Sequence, residues 1–198
     1  MLLRQLAAVA TALLFGSNAI AQETGDALGD ERAEIALSND TLELRYVGSG
    51  GLIGVEDTHL SGAFFLSEER DIVLSAALLF PVNLQLGRLE IAAGPQIYAA
   101  LLDEENDDVL AMSVGAELRY EVIRRIGFAI AGHAYYAPDI LTFGSADNLT
   151  DLSARAEFRV APRMLVFGGM RWFEFDLADG GGERTLQEEI FVGFGYRL

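Results

Sequence analysis

The chain contains no cysteine and no lysine among its 198 residues. The absence of cysteine excludes a disulfide framework. All 14 basic residues are arginine, and against 30 acidic residues they leave a formal net charge of −16. Such acidity argues against binding to nucleic acid, which is driven by basic surface. Although 51% of the residues are hydrophobic, no apolar run reaches the roughly 20 residues that a transmembrane helix needs. If this protein meets a membrane, it does so through strands.

The first 21 residues contain the three regions of a secretory signal peptide in order. Arg4 supplies a short positive region, residues 6–15 form an apolar stretch too short to span a bilayer, and Ala19-Ile20-Ala21 is a cleavage site. We therefore expect export of a single domain. Residues 1–21 are predicted to be a cleaved signal peptide, residues 22–31 an acidic N-terminal segment and residues 32–198 the barrel.

The C-terminal segment has the clearest strand pattern. Every second residue from Ile190 to Leu198 is large and apolar, and a period of two indicates a strand with one apolar face. A soluble sheet rarely leaves such a strand at its edge, whereas a closed barrel in lipid has no edge. Similar alternation recurs along the chain, so that ten strands are predicted at residues 32–38, 41–47, 59–67, 71–80, 88–102, 109–122, 126–137, 152–160, 164–176 and 190–198.

The connections between these segments alternate in length. Residues 124–125 and 161–163 are short connections, whereas residues 138–150 and 178–185 are longer and polar. Outer-membrane barrels have short periplasmic turns, longer external loops and an even strand number. Residues 48–57 depart from this rule, because they form a ten-residue connection on the periplasmic side. The sequence predicts an all-β fold, a small antiparallel transmembrane β-barrel of about ten strands, with eight as the alternative. The last strand is expected to close the barrel onto the strand near Glu34.

Charged residues in these segments fall almost entirely on the face opposite the apolar one. A lipid-facing charge is costly, so this face is predicted to line the lumen. A soluble lipocalin-like barrel has the inverse arrangement, and alternation alone does not distinguish the two. The signal sequence, the terminal strand and the long glycine-punctuated strands favour the membrane barrel.

The predicted lumen charges are seven of each sign. The acids are Glu34, Glu43, Glu90, Glu117, Glu121, Asp151 and Glu157, and the arginines are Arg45, Arg88, Arg119, Arg155, Arg159, Arg171 and Arg197. Opposite charges that line a narrow barrel should pair across strands. Interiors of small barrels are filled by side chains, so we predict a plugged lumen. Eleven residues are assigned to this structural network: Glu43, Arg45, Glu90, Glu117, Arg119, Glu121, Arg155, Glu157, Arg159, Arg171 and Arg197.

Residue patterns that would carry catalysis or metal binding are weak. His59 and His133 lie on predicted lumen faces of different strands, and Ser61, Ser113 or Ser153 could be a neighbour of either. A histidine in a polar network is the favoured interpretation over a catalytic triad. The acidic loop at residues 103–108 could bind divalent cations adventitiously but lacks the features of an EF-hand. No catalytic residue, cofactor site or metal site is predicted.

Short motifs give a resemblance to a known family. Residues 132–139 (Gly-His-Ala-Tyr-Tyr-Ala-Pro-Asp) resemble the aromatic-Pro-Asp segment of the YfaZ family of bacterial outer-membrane proteins. The similarity continues through residues 154–156, 169–172 and 191–193. It implies a small barrel in the outer membrane of a Gram-negative bacterium and no established activity. Ala137, where serine is more usual, and Leu198, in place of a terminal phenylalanine, depart from the family pattern. The second departure bears on recognition by the barrel-assembly machinery.

Three functional hypotheses follow from these expectations. The first is a non-enzymatic structural or interaction barrel whose acidic external loops bridge lipopolysaccharide phosphates through divalent cations. The second is a small passive channel or transporter, and the third is a lipid-modifying barrel enzyme. The expected partners are outer-membrane lipid and lipopolysaccharide, with the barrel-assembly machinery during biogenesis, and the barrel is expected to be a monomer.

Overall fold

The computed structural model describes residues 28–68, 70–82, 88–102, 108–177 and 182–198. The predicted signal peptide, and the acidic loop except for Asp108, lie outside the described residues. The strands are β1 (Arg32–Leu37), β2 (Thr41–Ser49), β3 (His59–Ser67), β4 (Ile72–Pro81), β5 (Leu89–Leu101), β6 (Asp108–Ile123), β7 (Phe128–Ala137), β8 (Thr142–Gly144), β9 (Ala146–Ala161), β10 (Met164–Leu177) and β11 (Gly182–Arg197). Short 3-10 helices lie at Gly50–Ile53, Arg124–Ile126 and Asp139–Leu141. Within the described ranges, no helix has the length and apolar character needed to cross a membrane.

Ten of these strands form a closed antiparallel ring. Their order is β1-β2-β3-β4-β5-β6-β7-β9-β10-β11, and β11 pairs back onto β1. The three-residue β8 stands outside the ring and pairs with β6 beyond the end of β7. The prediction of an all-β barrel with ten strands rather than eight is confirmed, because each predicted segment overlaps one strand of the ring.

The two faces of the barrel wall differ sharply in character. Outward side chains such as Ile190 and Val114 are apolar, with exposed fractions of 72% and 63%. Inward charged residues such as Glu34, Glu117 and Arg119 are buried. An apolar exterior around a charged, buried interior is the arrangement of a membrane-spanning barrel and the inverse of a soluble lipocalin-like barrel.

Two strands extend further than their alternation predicts. β9 begins six residues earlier and β11 eight residues earlier than the predicted segments. The pairing of β11 with β10 shifts register between Phe173 and Glu174, and at this bulge Leu186 and Gln187 are both buried. An extra residue in one strand interrupts the period of two, which is why the sequence pattern stops short of the strand's true start.

An apolar cluster fills the external end of the interior. We call it the external cluster; its residues are Phe65, Val73, Tyr98, Ala100, Leu102, Val109, Ala111, Ala137, Ala146, Leu149, Phe173, Phe175 and Leu186. The ring of Phe173 lies 5.7 Å from that of Phe65 in an edge-to-face contact and 5.6 Å from those of Tyr98 and Phe175. The alternation along the strands predicts a charged lumen and gives no indication of this apolar half.

The first and last strands, β1 and β11, meet in a seam that is much shorter than the pairing of β11 with β10. β1 and β11 share six residue pairs, from Arg32–Arg197 to Leu37–Val192, and Glu34 pairs with Gly195 as predicted. Beyond Val192, β11 continues for ten residues to Gly182 while pairing only with β10 among the described strands. The external end of β11 therefore rises above the β1–β2 hairpin.

Candidate functional site: the lumen network

Buried and partly buried arginines and acids from six strands meet in the middle of the barrel. We call this group the lumen network; it comprises Arg32, Glu34, Glu43, Arg45, Glu90, Glu117, Arg119, Asp151, Arg155, Glu157 and Arg171. These side chains reach the lumen because each occupies an inward position of its strand. The cations are all arginine, whose guanidinium stays protonated in proteins and offers five donors.

One half of the network is centred on Glu34 of β1. Arg155 of β9 donates to both oxygens of this carboxylate, Nη1 to Oε2 at 2.8 Å and Nη2 to Oε1 at 3.1 Å. Arg32 Nε donates to Glu34 Oε1 at 2.6 Å. Bidentate pairing of this kind sets both distance and orientation, so it ties two strands that are not neighbours in the ring.

The same arginine joins Glu34 to a second carboxylate. Arg155 Nε donates to Glu157 Oε1 at 2.9 Å, and Arg119 Nε donates to Glu157 Oε2 at 2.9 Å. Arg119 also lies 3.8 Å from Glu90 Oε2. Charges of alternating sign therefore run without a break from β1 through β9 to β6 and β5.

A third contact crosses the lumen between β2 and β6. Arg45 Nη2 donates to Glu117 Oε1, and the hydroxyl of Tyr135 on β7 donates to the same oxygen at 3.2 Å. The side chains of both members of this ion pair are almost completely buried. Since β2 and β6 are separated by three strands, this pair reaches across the lumen rather than along the wall.

Arg171 of β10 organises the part of the network next to the external cluster. Its Nε and Nη2 donate to Asp151 Oδ1 and Oδ2, both at 2.8 Å, and its Nη1 donates to Glu43. Tyr98 donates to Asp151 Oδ2 at 2.8 Å, and His133 Nε2 lies 3.0 Å from Asp151 Oδ1. The side chain of Asp151 is only 1% exposed, so these partners replace the water it would hold in solution.

The eleven sequence-assigned residues divide into two groups. Eight belong to the buried network: Glu43, Arg45, Glu90, Glu117, Arg119, Arg155, Glu157 and Arg171. Glu121, Arg159 and Arg197 lie instead toward the rim that carries the short turns. There Glu121 pairs with Arg124 at 2.8 Å, Arg159 is exposed, and Arg197 pairs with Asp30 at 2.5 Å.

Three members of the lumen network and two tyrosines that donate to it are not among the eleven residues assigned from the sequence. Arg32 stands at the first position of β1, where a strand-end charge gives no sign of burial. Tyr98 and Tyr135 occupy inward positions of well-defined strands, so their place on the polar face was a usable signal that they donate to lumen acids. Glu34 and Asp151 are predicted on the lumen face but are not among the assigned eleven.

A further ion pair lies beyond the external cluster. Arg184 Nη2 donates to Asp71 Oδ2 at 3.1 Å, and Asp71 is fully buried. Arg184 belongs to the external end of β11, whereas Asp71 precedes β4 on the other side of the β1–β2 hairpin. The top of β11 thus leans across that short hairpin toward β4.

Free space inside the network is small. A cavity lined by residues including Glu34, Arg45, Glu117, His133 and Arg171 has a volume of about 40 Å³. Such a volume accommodates about three water molecules.

The two histidines occupy separate places. His59 begins β3 near the rim with the short turns, and His133 lies in the network beside Asp151. Ser113 Oγ donates to the carbonyl of Gln96 at 3.1 Å. Across the described ranges, no group of three or more histidine, aspartate or glutamate side chains is arranged to hold a metal ion.

Comparison with known proteins gives a family match over almost the whole chain. Residues 5–198 match the family described as YfaZ precursor. None of the curated proteins matches the chain.

Similar solved structures include two porins and one outer-membrane channel. The KdgM porin in complex with disordered oligogalacturonate is 8% identical with a TM-score of 0.47, covering 85% of this chain and 99% of that one. The NanC porin is 10% identical with a TM-score of 0.41, covering 85% and 99%. The outer-membrane channel DcaP of Acinetobacter baumannii is 9% identical with a TM-score of 0.39, covering 86% and 56%.

Proposed function

The chain belongs to the YfaZ family and is an outer-membrane β-barrel, and from this premise we propose that it is a non-conducting barrel with a structural or interaction role. The observation that supports the proposal is that side chains fill the lumen at two levels. Paired charges span it in the middle, and the external cluster occupies the outer end.

Conduction requires a continuous water path, and two features oppose one. The Arg45–Glu117 pair bridges β2 and β6 across the lumen, and the aromatic rings of Phe65 and Phe173 touch above it. An ion that passed would have to separate buried pairs whose partners have lost their water, and leaving one charge unpaired in such a site is strongly unfavourable. Interiors of barrels of this size are commonly filled by side chains in the same way.

Planar-bilayer recording tests the proposal. The purified barrel is inserted at high protein density, and insertion is verified by recovering the folded, heat-modifiable form from the same membranes. We expect no steady conductance in molar potassium chloride. Steady, stepwise conductance with the folded form present would overturn the proposal and support the channel hypothesis instead.

We also propose that the barrel is not an enzyme. The candidate histidine His133 is engaged in the network, because its neighbour Asp151 also accepts hydrogen bonds from Arg171 and Tyr98. A carboxylate held by a bidentate arginine is suited to fixing strands in place. If a phospholipase or protease activity is detected, replacing both His59 and His133 by glutamine should leave it unchanged; its loss would contradict this part of the proposal.

The interaction role is proposed to involve the phosphates of the outer-leaflet lipid, bridged by divalent cations. Glu183 and Glu188 are exposed on the external part of β11, and Glu174 and Asp176 lie on the adjoining part of β10. Carboxylates and phosphates both supply the hard oxygen ligands that magnesium and calcium prefer. Chelation of divalent cations should lower the thermal midpoint of the barrel in lipopolysaccharide vesicles and leave it unchanged in neutral phospholipid. Equal midpoints before and after chelation in lipopolysaccharide would contradict this role.

A further inference from the structure

Residues 28–31 lie across the end of the barrel that carries the short turns. Short turns at Arg124–Ile126 and between β9 and β10 mark this end as periplasmic. From the contacts described below, we propose that residues 28–31 form a releasable strap that closes the periplasmic mouth. Its release would uncover a periplasm-facing cavity while the barrel wall stays folded.

Leu28 is the inner anchor of the strap. Its side chain is 6% exposed and packs in a cluster with Ala77, Leu79, Ala92 and Tyr135. Burying an aliphatic side chain in this way stabilises the seated position of the strap. These partners belong to β4, β5 and β7, on the far side of the ring from β1, so the strap crosses the lumen rather than following the wall.

Polar contacts hold the backbone of this residue. The Leu28 N–H donates to Glu90 Oε2 at 3.1 Å, and Arg32 Nη1 donates to the Leu28 carbonyl oxygen at 3.0 Å. Both partners are members of the lumen network. The strap is therefore continuous with the network, and Leu28 forms part of the lining of the central cavity.

The outer part of the strap is tied to the rim. Asp30 Oδ2 lies 2.5 Å from Arg197 Nη2, the Leu198 N–H donates to the Glu31 carbonyl oxygen at 2.9 Å, and the Tyr46 hydroxyl donates to Glu31 Oε1 at 2.6 Å. The side chains of Asp30 and Arg197 are about one third exposed. Water and salt therefore weaken this tie far more than they weaken the buried pairs.

Gly29 shows how closely the strap approaches the wall. A Cβ at this position would lie 2.2 Å from the His59 ring. A side chain would displace either the ring or the strap, so glycine allows the close contact.

The strap differs from the wall in what holds it. Every strand of the ring is held by ladders of backbone pairs on two sides, whereas residues 28–31 are held by one apolar side chain and a few polar contacts. Segments with few buried contacts open first, while the core elements remain folded. Since Leu28 itself lines the central cavity, its departure would enlarge that cavity toward the periplasm. The external cluster would stay in place, so strap release does not create a pore.

Cysteine labelling tests the strap directly because the chain contains no cysteine. Single variants Leu28→Cys and Ala92→Cys report on the strap and on the surface beneath it. Leu52→Cys, 68% exposed in the Gly50–Ile53 helix, is the exposed control, and Ala137→Cys, buried in the external cluster, is the buried control. Each is treated with a water-soluble maleimide in detergent micelles, with and without Asp30→Asn.

With Asp30 intact, positions 28 and 92 should react at least about tenfold more slowly than position 52, because labelling must wait for local opening. Asp30→Asn should accelerate both several-fold and leave position 137 protected and the heat-modifiable band unchanged. Because Leu28→Cys also shortens the side chain that anchors the strap, position 92 sets the baseline. The strap is refuted if position 92 reacts as fast as position 52, if Asp30→Asn changes neither rate, or if it exposes position 137 equally. Should Leu28→Cys fail to fold, Ala92→Cys alone decides the question. These labelling rates do not depend on conductance. The strap and the non-conducting barrel can therefore be refuted independently of each other.

Discussion

Replacing Arg171 with methionine should destabilise the barrel by about 3–5 kcal/mol, the cost of leaving one member of a buried ion pair alone. The magnitude follows from its contacts. Two charge-assisted hydrogen bonds to Asp151, both 2.8 Å long, would be lost, and each such bond contributes about 1.5–3 kcal/mol. The guanidinium also lies 4.6 Å from the centre of the Phe173 ring, a contact of about 0.5–2 kcal/mol that methionine replaces only in part. Tyr98 and His133 remain near Asp151 and limit the loss.

The assay is urea unfolding in lipid vesicles, followed by tryptophan fluorescence and gel mobility. Trp172 is the chain's single tryptophan and adjoins Arg171, so its emission reports on this part of the wall. The control is Arg124→Met, which breaks an ion pair of similar length on an exposed side chain and should leave the midpoint unchanged.

The pairing itself is tested by the double variant Arg171→Met/Asp151→Asn. Removing both charges relieves the unpaired carboxylate at Asp151, whereas Glu43 still loses its contact with Arg171. The double variant should therefore lose less stability than the two single variants together, but should remain less stable than the wild type. If the two losses of stability simply add, or if Arg171→Met unfolds at the wild-type midpoint, the Arg171–Asp151 pair does not stabilise the barrel.

Two further substitutions test the wall. A Cβ on Gly193 of the seam strand β11 would lie 2.2 Å from the Phe167 ring, so Gly193→Val should reduce the folded, heat-modifiable fraction. The control is Gly168→Val, which should be better tolerated because its Cβ would meet only ordinary contacts at 3.5 Å and beyond. Equal folded yields would contradict this account of the packing at Gly193. Val192→Arg on the lipid face should cost about 2–4 kcal/mol near the midplane in vesicle unfolding. Ile140→Arg, 81% exposed in an external connection, should cost far less, and equal losses would contradict the placement of Val192 in the lipid and Ile140 outside it.

The barrel could be predicted from the sequence because lipid imposes one rule on every strand. Outward positions such as Leu118 and Ile130 must be apolar over the whole membrane thickness, so the period of two is preserved in each segment. The rule weakens where the wall leaves the lipid. For this reason the external starts of β9 and β11, with polar outward residues such as Asn148, were not predicted.

The interior was harder to predict because inward positions are not bound by one chemistry. The same face of β10 carries Arg171 and, two and four residues later, Phe173 and Phe175. Alternation shows that these side chains point inward but not which ones meet. The partners of Glu34 and Asp151 depend on strand tilt and on register across the ring. Neither the tilt nor the register can be predicted from the sequence of one strand alone.

The short seam has a consequence for how the chain reaches its final form. β1 and β11 are the strands farthest apart along the chain, and their junction has only six residue pairs, whereas β10 and β11 share fourteen. Contacts between distant segments carry the largest entropy cost and form late. Hairpins from β2 onward should therefore assemble as an open, curved sheet, and joining its two ends should be the slow step. For the same reason, a barrel that is stretched or heated should open first along β1, beginning at the turn of the β1–β2 hairpin and proceeding toward the periplasmic end.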